Sequence, residues 1–185
     1  MMLRMLDILF SLLGLLLTSP LLVLLFVLGL FDTGSPLFRQ TRVGRHQRPF
    51  VLVKFRTMKP DTQSMATHLA SPASVTRIGS MLRRTKLDEL PQLWNVLTGE
   101  MSLVGPRPCL FNQTELIAER AQRRVFDARP GITGLAQVKG VDMSTPRLLA
   151  EIDARMLAEM NLAHYIKFIV QTATGSGRGD RIKAP

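Results

Sequence analysis

The sequence predicts a mostly helical domain with a short strand element, preceded by a membrane helix. Residues 8–31 contain no charged residue, and residues 50–56 (FVLVKFR) are rich in β-forming residues. A length of 185 residues suffices for one domain with a buried core. Helical patterns cover four further segments, namely 77–86, 90–98, 112–126 and 146–173, the last with a break expected near Asn161.

The composition excludes several classes of protein. Hydrophobic residues make up 46% of the chain and charged residues only 21%, a balance that excludes an intrinsically disordered protein. The single cysteine, Cys109, cannot form an intrachain disulfide bond, so a disulfide-stabilised secreted scaffold is also excluded. The three histidines lie far apart in the sequence and from Cys109, which argues against a structural zinc site.

The positive charge is concentrated directly after the apolar segment. The formal net charge is +10, and residues 32–86 contribute +9 of it. Basic clusters next to a membrane helix are attracted to anionic lipid and favour the cytoplasmic side. Aromatic residues are only 6% of the chain, and no nucleic-acid-binding motif is present. The predicted partner is therefore membrane lipid and not nucleic acid.

The apolar segment Ile8–Phe31 is 24 residues long, and Ser19-Pro20 lies at its centre. A straight helix of this length reaches about 36 Å, enough to cross a hydrocarbon core of about 30 Å. Proline removes a backbone hydrogen bond, so a break or kink is expected, with Thr18 and Ser19 hydroxyls satisfying freed carbonyls. Physical reasoning alone leaves both a spanning and a re-entrant topology open.

Three segments carry residues that suit phosphate chemistry. They are Lys54–Met58 (KFRTM), Arg83–Leu93 (RRTKLDELPQL), and the pair of stiff turns that contain Arg107 and Arg129. Arginine grips phosphate oxygens with two donors, and Mg²⁺ bound to a diphosphate needs one or two carboxylates. Structural alternatives exist, because Asp88 could cap a helix and Arg83 and Arg84 could pair with Asp88 and Glu89 at the surface. The last helical half, LAHYIKFIV, suits either a membrane-surface helix or a core helix.

Taken together, these segments resemble the bacterial sugar transferase family of small monotopic phosphoglycosyl transferases. The matching blocks are SPLFRQTRVG (35–44), KFRTM (54–58), LDELPQLWNVLTGEMSLVGPRP (87–108) and RPGITGLAQVKG (129–140), with Ser19-Pro20 before them. The resemblance implies an α/β-associated, mostly helical cytoplasmic domain with interfacial amphipathic helices and a re-entrant helix broken at Ser19-Pro20. The implied organisation is a membrane helix over 1–31, a catalytic domain over 32–174 and a flexible tail over 175–185.

The resemblance also implies a reaction and a set of site residues. The donor would be a UDP-sugar and the acceptor undecaprenyl phosphate, at the cytoplasmic face of the bacterial inner membrane. Asp88 matches the family nucleophile, Glu89 completes the catalytic pair, and both would contact Mg²⁺. The expected substrate-binding residues are Lys54, Arg56, Arg83, Arg107 and Arg129. Downstream glycosyltransferases are candidate partners, and the sugar and oligomeric state stay open.

Two other functions compete with this one. The first is transfer or hydrolysis at a lipid phosphate without a covalent intermediate, with Glu89 as the base. The second is an inactive membrane scaffold. The sequence departs from the family pattern at Lys86, where a small hydroxyl residue is common, and at Tyr165, where Asp is common.

Overall fold

The computed structural model describes residues 2–62 and 72–175, so nearly all of the predicted tail lies outside the described residues. Within these ranges the protein is mostly helical with two small sheets. The helices are α1 (Met2–Thr33), α2 (Arg77–Thr85), α3 (Gln92–Thr98), α4 (Thr114–Gln122), α5 (Leu135–Lys139), α6 (Pro146–Ala158) and α7 (Leu162–Ala173). The strands are β1 (Leu37–Val43), β2 (Pro49–Phe55), β3 (Ser102–Val104) and β4 (Gly131–Thr133).

Helix α1 passes through Pro20 as one helical element and is long and apolar enough to cross a membrane. The helix is therefore not interrupted at Ser19-Pro20, and the kink expected there stays a prediction. Pro20 has no N–H to offer to the carbonyl of Leu16, four residues earlier. The Ser19 hydroxyl donates to that carbonyl instead, at 2.8 Å, and the Thr18 hydroxyl donates to the Gly14 carbonyl at 2.7 Å. The predicted role of these hydroxyls is confirmed, and it explains why the helix continues.

One side of α1 lies against the rest of the domain near both of its ends. Near the N-terminus, Asp7 is buried and accepts hydrogen bonds from the Tyr165 hydroxyl at 2.7 Å and the Leu103 N–H at 2.8 Å. Near the C-terminus, the carboxylate of Asp32 accepts a hydrogen bond from the Thr76 hydroxyl at 2.6 Å. The opposite side of α1 exposes large apolar side chains along its length, among them Leu9, Leu13, Leu17, Leu24 and Phe31.

Strands β1 and β2 form an antiparallel hairpin in which Phe38 pairs with Lys54. Alternate residues of a strand face the same side of the sheet. Phe50, Leu52 and Lys54 therefore share one face, and all three are buried. The strand predicted over 50–56 is confirmed as β2, and its period of two places a lysine on the face that carries core residues.

Strands β3 and β4 are a short parallel pair connected through α4. The two glycine-proline turns, Gly105-Pro106 and Pro130-Gly131, lie directly against each other. A Cβ atom added to Gly131 would lie 2.0 Å from the Gly105 nitrogen, so no larger residue fits without movement of the backbone.

The helix predicted over 146–173 is two helices, α6 and α7, and the expected break near Asn161 is confirmed. The side chain of Asn161 accepts a hydrogen bond from the His164 N–H at 2.9 Å and caps α7. Tyr165 and Phe168 of α7 belong to the main core cluster, while Leu162, Ile166 and Val170 are exposed. Helix α7 thus combines the two predicted interpretations, because one side packs in the core and the other presents an apolar stripe.

Candidate active site

A short turn after α2 positions the two predicted catalytic carboxylates. Helix α2 ends at Lys86, which adopts a left-handed conformation with φ 59°, and a 3₁₀ turn over Leu87–Glu89 follows. Leu87 packs against the apolar cluster around Leu25, Phe55 and Leu82, which anchors the turn. Asp88 is only 5% exposed.

Three of the predicted cations lie close enough to Asp88 to act on its charge. The positive charges of Lys54, Arg83 and Arg107 all act on its carboxylate. Lys54 reaches this site from the buried face of β2 and lies 5.7 Å from the centre of the Phe38 ring, a cation–π distance. Parts of β2, the Leu87–Glu89 turn and the Gly105–Pro108 segment, which are separate in the sequence, thus meet at one carboxylate.

The position of Arg83 depends on a close contact between α2 and the end of β2. A Cβ atom added to Gly79 would lie 2.1 Å from the Thr57 carbonyl oxygen, so the glycine permits this approach. One helical turn later, Arg83 Nε donates to the Thr57 hydroxyl at 2.8 Å. Thr57 is buried and holds the guanidinium in place. Sequence reasoning placed Thr57 in the KFRTM block but assigned it no role.

Arg107, in the Gly105–Pro108 turn, contacts the carboxylate turn Leu87–Glu89. Its Nη2 atom donates to Oε1 of Glu89 at 2.6 Å, a salt bridge whose side chains are 22% and 13% exposed. A charge-assisted contact of this length is among the stronger hydrogen bonds in proteins. The contact places Arg107 beside the carboxylate pair, and its role in substrate binding stays a prediction.

The pKa of the Asp88 carboxyl is raised to about 6, because burial and the neighbouring Glu89 charge raise it more than the charges of Lys54, Arg83 and Arg107 lower it. A carboxylate in such surroundings is poised for chemistry, because perturbed acids concentrate at functional sites. The structural alternative of a capping residue is not supported. Thr85 is the last residue of α2 and bonds back to Met81, and no side chain caps the turn at Asp88 or the start of α3.

Lys86 is a further charged residue at this site. Burial lowers the pKa of its amine, the Glu89 charge raises it, and the Arg107 charge lowers it. Its left-handed backbone is an uncommon conformation for a residue with a side chain. The departure of Lys86 from the family pattern is the one signal of its role that is visible in the sequence.

The other two predicted substrate-binding arginines donate to backbone carbonyls. Arg56 Nε donates to the Ser35 carbonyl at 2.9 Å, and its guanidinium lies 5.5 Å from the Phe38 ring centre. Arg129 Nε donates to the Gly99 carbonyl at 2.8 Å. Arg4 approaches the same end of α3 and donates to the Val96 carbonyl at 2.7 Å. Binding of substrate by Arg56 and Arg129 stays a prediction.

Comparisons with known proteins show which family the chain belongs to. A family model described as bacterial sugar transferase matches residues 1–178. An uncharacterized sugar transferase of Bacillus subtilis, EpsL, is 43% identical over 124 residues, which are 66% of this chain and 61% of the relative. The UDP-glucose:undecaprenyl-phosphate glucose-1-phosphate transferase of Caulobacter vibrioides is 39% identical over 181 residues, which are 91% of this chain and 67% of the relative.

A longer relative matches over a smaller share of its length. The undecaprenyl-phosphate galactose phosphotransferase of Salmonella typhimurium is 36% identical over 154 residues, which are 74% of this chain and 32% of the relative. The chain thus spans between about a third and two thirds of the relatives named here. The family match nevertheless covers the apolar helix, the carboxylate turn and the arginine turns together. The chain belongs to the bacterial sugar transferase family.

Proposed function

We propose that this protein transfers a phosphosugar from a UDP-sugar to undecaprenyl phosphate, which yields undecaprenyl-diphosphate-sugar and UMP. The observation that carries the proposal is the buried Asp88 carboxylate within the field of Lys54, Arg83 and Arg107. The names of the Caulobacter and Salmonella relatives supply the substrate class. These names specify different sugars, so the sugar is left open here. The reaction would be a first membrane step in glycan assembly.

The proposed reaction has two half-steps at Asp88. A carboxylate oxygen of Asp88 attacks the phosphorus that carries the sugar, and the bond from that phosphorus to the UMP oxygen breaks. UMP leaves with the bonding electron pair, and the phosphosugar remains on Asp88 as an acyl phosphate. A phosphate oxygen of undecaprenyl phosphate then attacks the same phosphorus and releases the carboxylate. The cations around Asp88 would stabilise the negative charge that develops on the phosphate oxygens.

The donor set fits Mg²⁺ bound together with a diphosphate. Asp88 and Glu89 are adjacent in one turn, and the described residues contain no cluster of three or more potential metal-ligating side chains. Mg²⁺ commonly binds through one or two carboxylates and takes its remaining ligands from phosphate oxygens and water. Asp88 and Glu89 would hold the ion, which would neutralise part of the diphosphate charge.

We further propose that α1 is re-entrant, with both of its ends on the cytoplasmic side. The support is that Asp7 and Asp32, 25 positions apart in α1, are both hydrogen-bonded to the catalytic domain. A helix that crossed the membrane would carry its first residues to the far side, away from this domain. The exposed apolar side of α1 would face lipid, and the stripe Leu162, Ile166 and Val170 on α7 would lie at the membrane surface.

The covalent step is tested with the full chain in detergent or nanodiscs, without lipid acceptor. Incubation with UDP-sugar and Mg²⁺ should add the mass of one phosphosugar to the protein and release one equivalent of UMP. Asp88→Asn should do neither, whereas the control Asp127→Asn should do both. Turnover that requires lipid acceptor, with no burst and no adduct, would favour the alternative in which Glu89 acts as a base. Absence of any UMP release with a panel of UDP-sugars would favour the scaffold.

The topology is tested by cysteine labelling in intact cells. A cysteine at position 2, in a chain with Cys109 replaced by serine, should resist a membrane-impermeant maleimide until the cells are opened. Pro20→Leu restores the missing backbone donor and should favour a spanning helix, so labelling in intact cells is expected to rise. Labelling of the protein with Pro20 in intact cells would refute the re-entrant arrangement.

A further inference from the structure

The segment Pro106–Cys109, which carries Arg107, is fixed at four consecutive backbone carbonyls. Each of these carbonyls accepts a hydrogen bond from a different residue. The donors are Gly131 N to Pro106 at 2.9 Å, Arg120 Nη1 to Arg107 at 2.8 Å, Arg42 Nη1 to Pro108 at 3.2 Å and Val43 N to Cys109 at 2.9 Å. Two of these donors are buried arginine side chains and not backbone groups. The segment is thus held from several sides.

Arg120 is the more deeply buried of the two arginines. It is 1% exposed, and its Nε and Nη2 atoms both donate to Oδ2 of Asp153 at 3.0 and 2.7 Å. Asp153 is fully buried. These two bonds to one carboxylate oxygen hold the guanidinium, and its third nitrogen, Nη1, donates to the Arg107 carbonyl at 2.8 Å. The chain of contacts continues from Arg107 Nη2 to Glu89 Oε1 at 2.6 Å.

A buried ion pair is poor evidence for stability, because removing two charges from water costs several kcal/mol per ion. The same two helices are joined at the surface by Arg123, the residue directly after α4, and Glu151 of α6, at 3.4 Å. Joining α4 to α6 therefore does not require a fully buried pair. What the buried pair adds is a directed donor at the residue that contacts Glu89.

We propose that Arg120, oriented by Asp153, is a positioning residue that sets the location of the Arg107 guanidinium and, through it, of the Glu89 carboxylate. The inference rests on the proposed function, because Glu89 and Arg107 matter here through the reaction at Asp88. Arg120 itself contacts neither Glu89 nor Asp88 in any hydrogen bond of the described residues. Its effect on the reaction would pass through the Arg107 backbone.

The experiment is a double-mutant cycle with Arg120→Lys and Arg107→Ala in the full chain. Lysine keeps the charge beside Asp153, but one ammonium cannot reproduce the planar fork that also reaches the Arg107 carbonyl. We expect kcat/KM for UMP release, followed with radiolabelled donor, to fall about tenfold in Arg120→Lys, the value of one charge-assisted hydrogen bond. In the Arg107→Ala background the same change should cost less than about twofold. The matched control, Arg123→Lys, should keep wild-type kinetics.

A role confined to the α4–α6 contact predicts a different result. Arg120→Lys would then cost the same factor with and without Arg107, or would lower the melting temperature with unchanged kinetics, and either outcome overturns the inference. If Arg120→Lys does not fold, Arg42→Lys replaces it in the same cycle. This change removes the donor to the Pro108 carbonyl, which follows the Arg107 carbonyl in the same segment. Wild-type kinetics in Arg107→Ala itself would also overturn the inference, because Arg107 would then have no effect to transmit. Absence of UMP release from the wild-type protein would instead refute the proposed function, so the two failures are distinguishable.

Discussion

Replacing Asp88 by asparagine should abolish the reaction and at the same time stabilise the fold. The carboxyl is 5% exposed, and burial together with the Glu89 charge raises its pKa from 3.8 to about 6. A carboxyl group whose pKa is higher in the folded than in the unfolded state destabilises the fold when it is ionised. The resulting loss in the free energy of unfolding is absent below pH 3.8, grows as the pH rises and is complete above about pH 6. Asparagine keeps the shape and carries no charge at any pH.

The magnitude follows from the same shift. A rise of the pKa from 3.8 to about 6 corresponds to about 3 kcal/mol at pH 8, and to about half of that at pH 5. For a chain of this size, 1 kcal/mol moves the melting temperature by about 2–4 °C. Asp88→Asn should therefore melt about 6–12 °C higher than the wild type at pH 8, with a smaller difference at pH 5.

The assay is thermal unfolding in detergent with EDTA, so that neither Mg²⁺ nor substrate stabilises the wild type. Asp127→Asn is the matched control, because Asp127 also lies in a 3₁₀ turn that follows a left-handed residue, Arg124. Its carboxylate is exposed and paired with Arg124, so its melting temperature should change little. A less stable and still active Asp88→Asn variant would refute both the electrostatic reasoning and the nucleophile.

Three further outcomes are expected. Arg129→Lys should lower turnover about tenfold, because lysine cannot grip two oxygens, and wild-type kinetics would remove Arg129 from the substrate site. Tyr165→Phe deletes the buried hydroxyl that donates to Asp7, so the free energy of unfolding should fall by about 1–3 kcal/mol, and an unchanged denaturation midpoint would contradict the contact. Ser19→Ala leaves the Leu16 carbonyl without the hydroxyl donor, which should lower the melting temperature measurably below that of the wild type.

Much of the site could be predicted from local sequence. Asp88 and Glu89 are adjacent in the chain, so one turn necessarily places both together. Lys54 follows Phe50 and Leu52 at a spacing of two, which puts it on the buried face once the segment is a strand. The break at Asn161 has a local cause as well, because its side chain caps the helix that follows. These features depend on contacts between residues a few positions apart.

Other elements were not found from the sequence because their pairing is long-range. Strands β3 and β4 are three residues each, too short for an alternating pattern, and they exist because Ser102 and Gly131 pair across α4. Strand β1 lies in the motif block 35–44, and no strand is predicted there. The hydroxyls that let α1 continue through Pro20 are predicted from the sequence, because they are neighbours of the proline.

The sequence by itself determined the family, the carboxylate pair, the cations and the apolar helix, because each is a matter of residue identity and short spacing. The tertiary structure decided which cations meet at Asp88. Lys54, Arg83 and Arg107 come from separate elements and converge there, whereas Arg56 and Arg129, chosen from the same kinds of motif, donate to the Ser35 and Gly99 carbonyls. It also decided how the ends of α1 are placed, through Asp7 on Tyr165 and Asp32 on Thr76. The physical reason is that such contacts join residues up to 158 positions apart, and only packing of the whole chain brings those residues together.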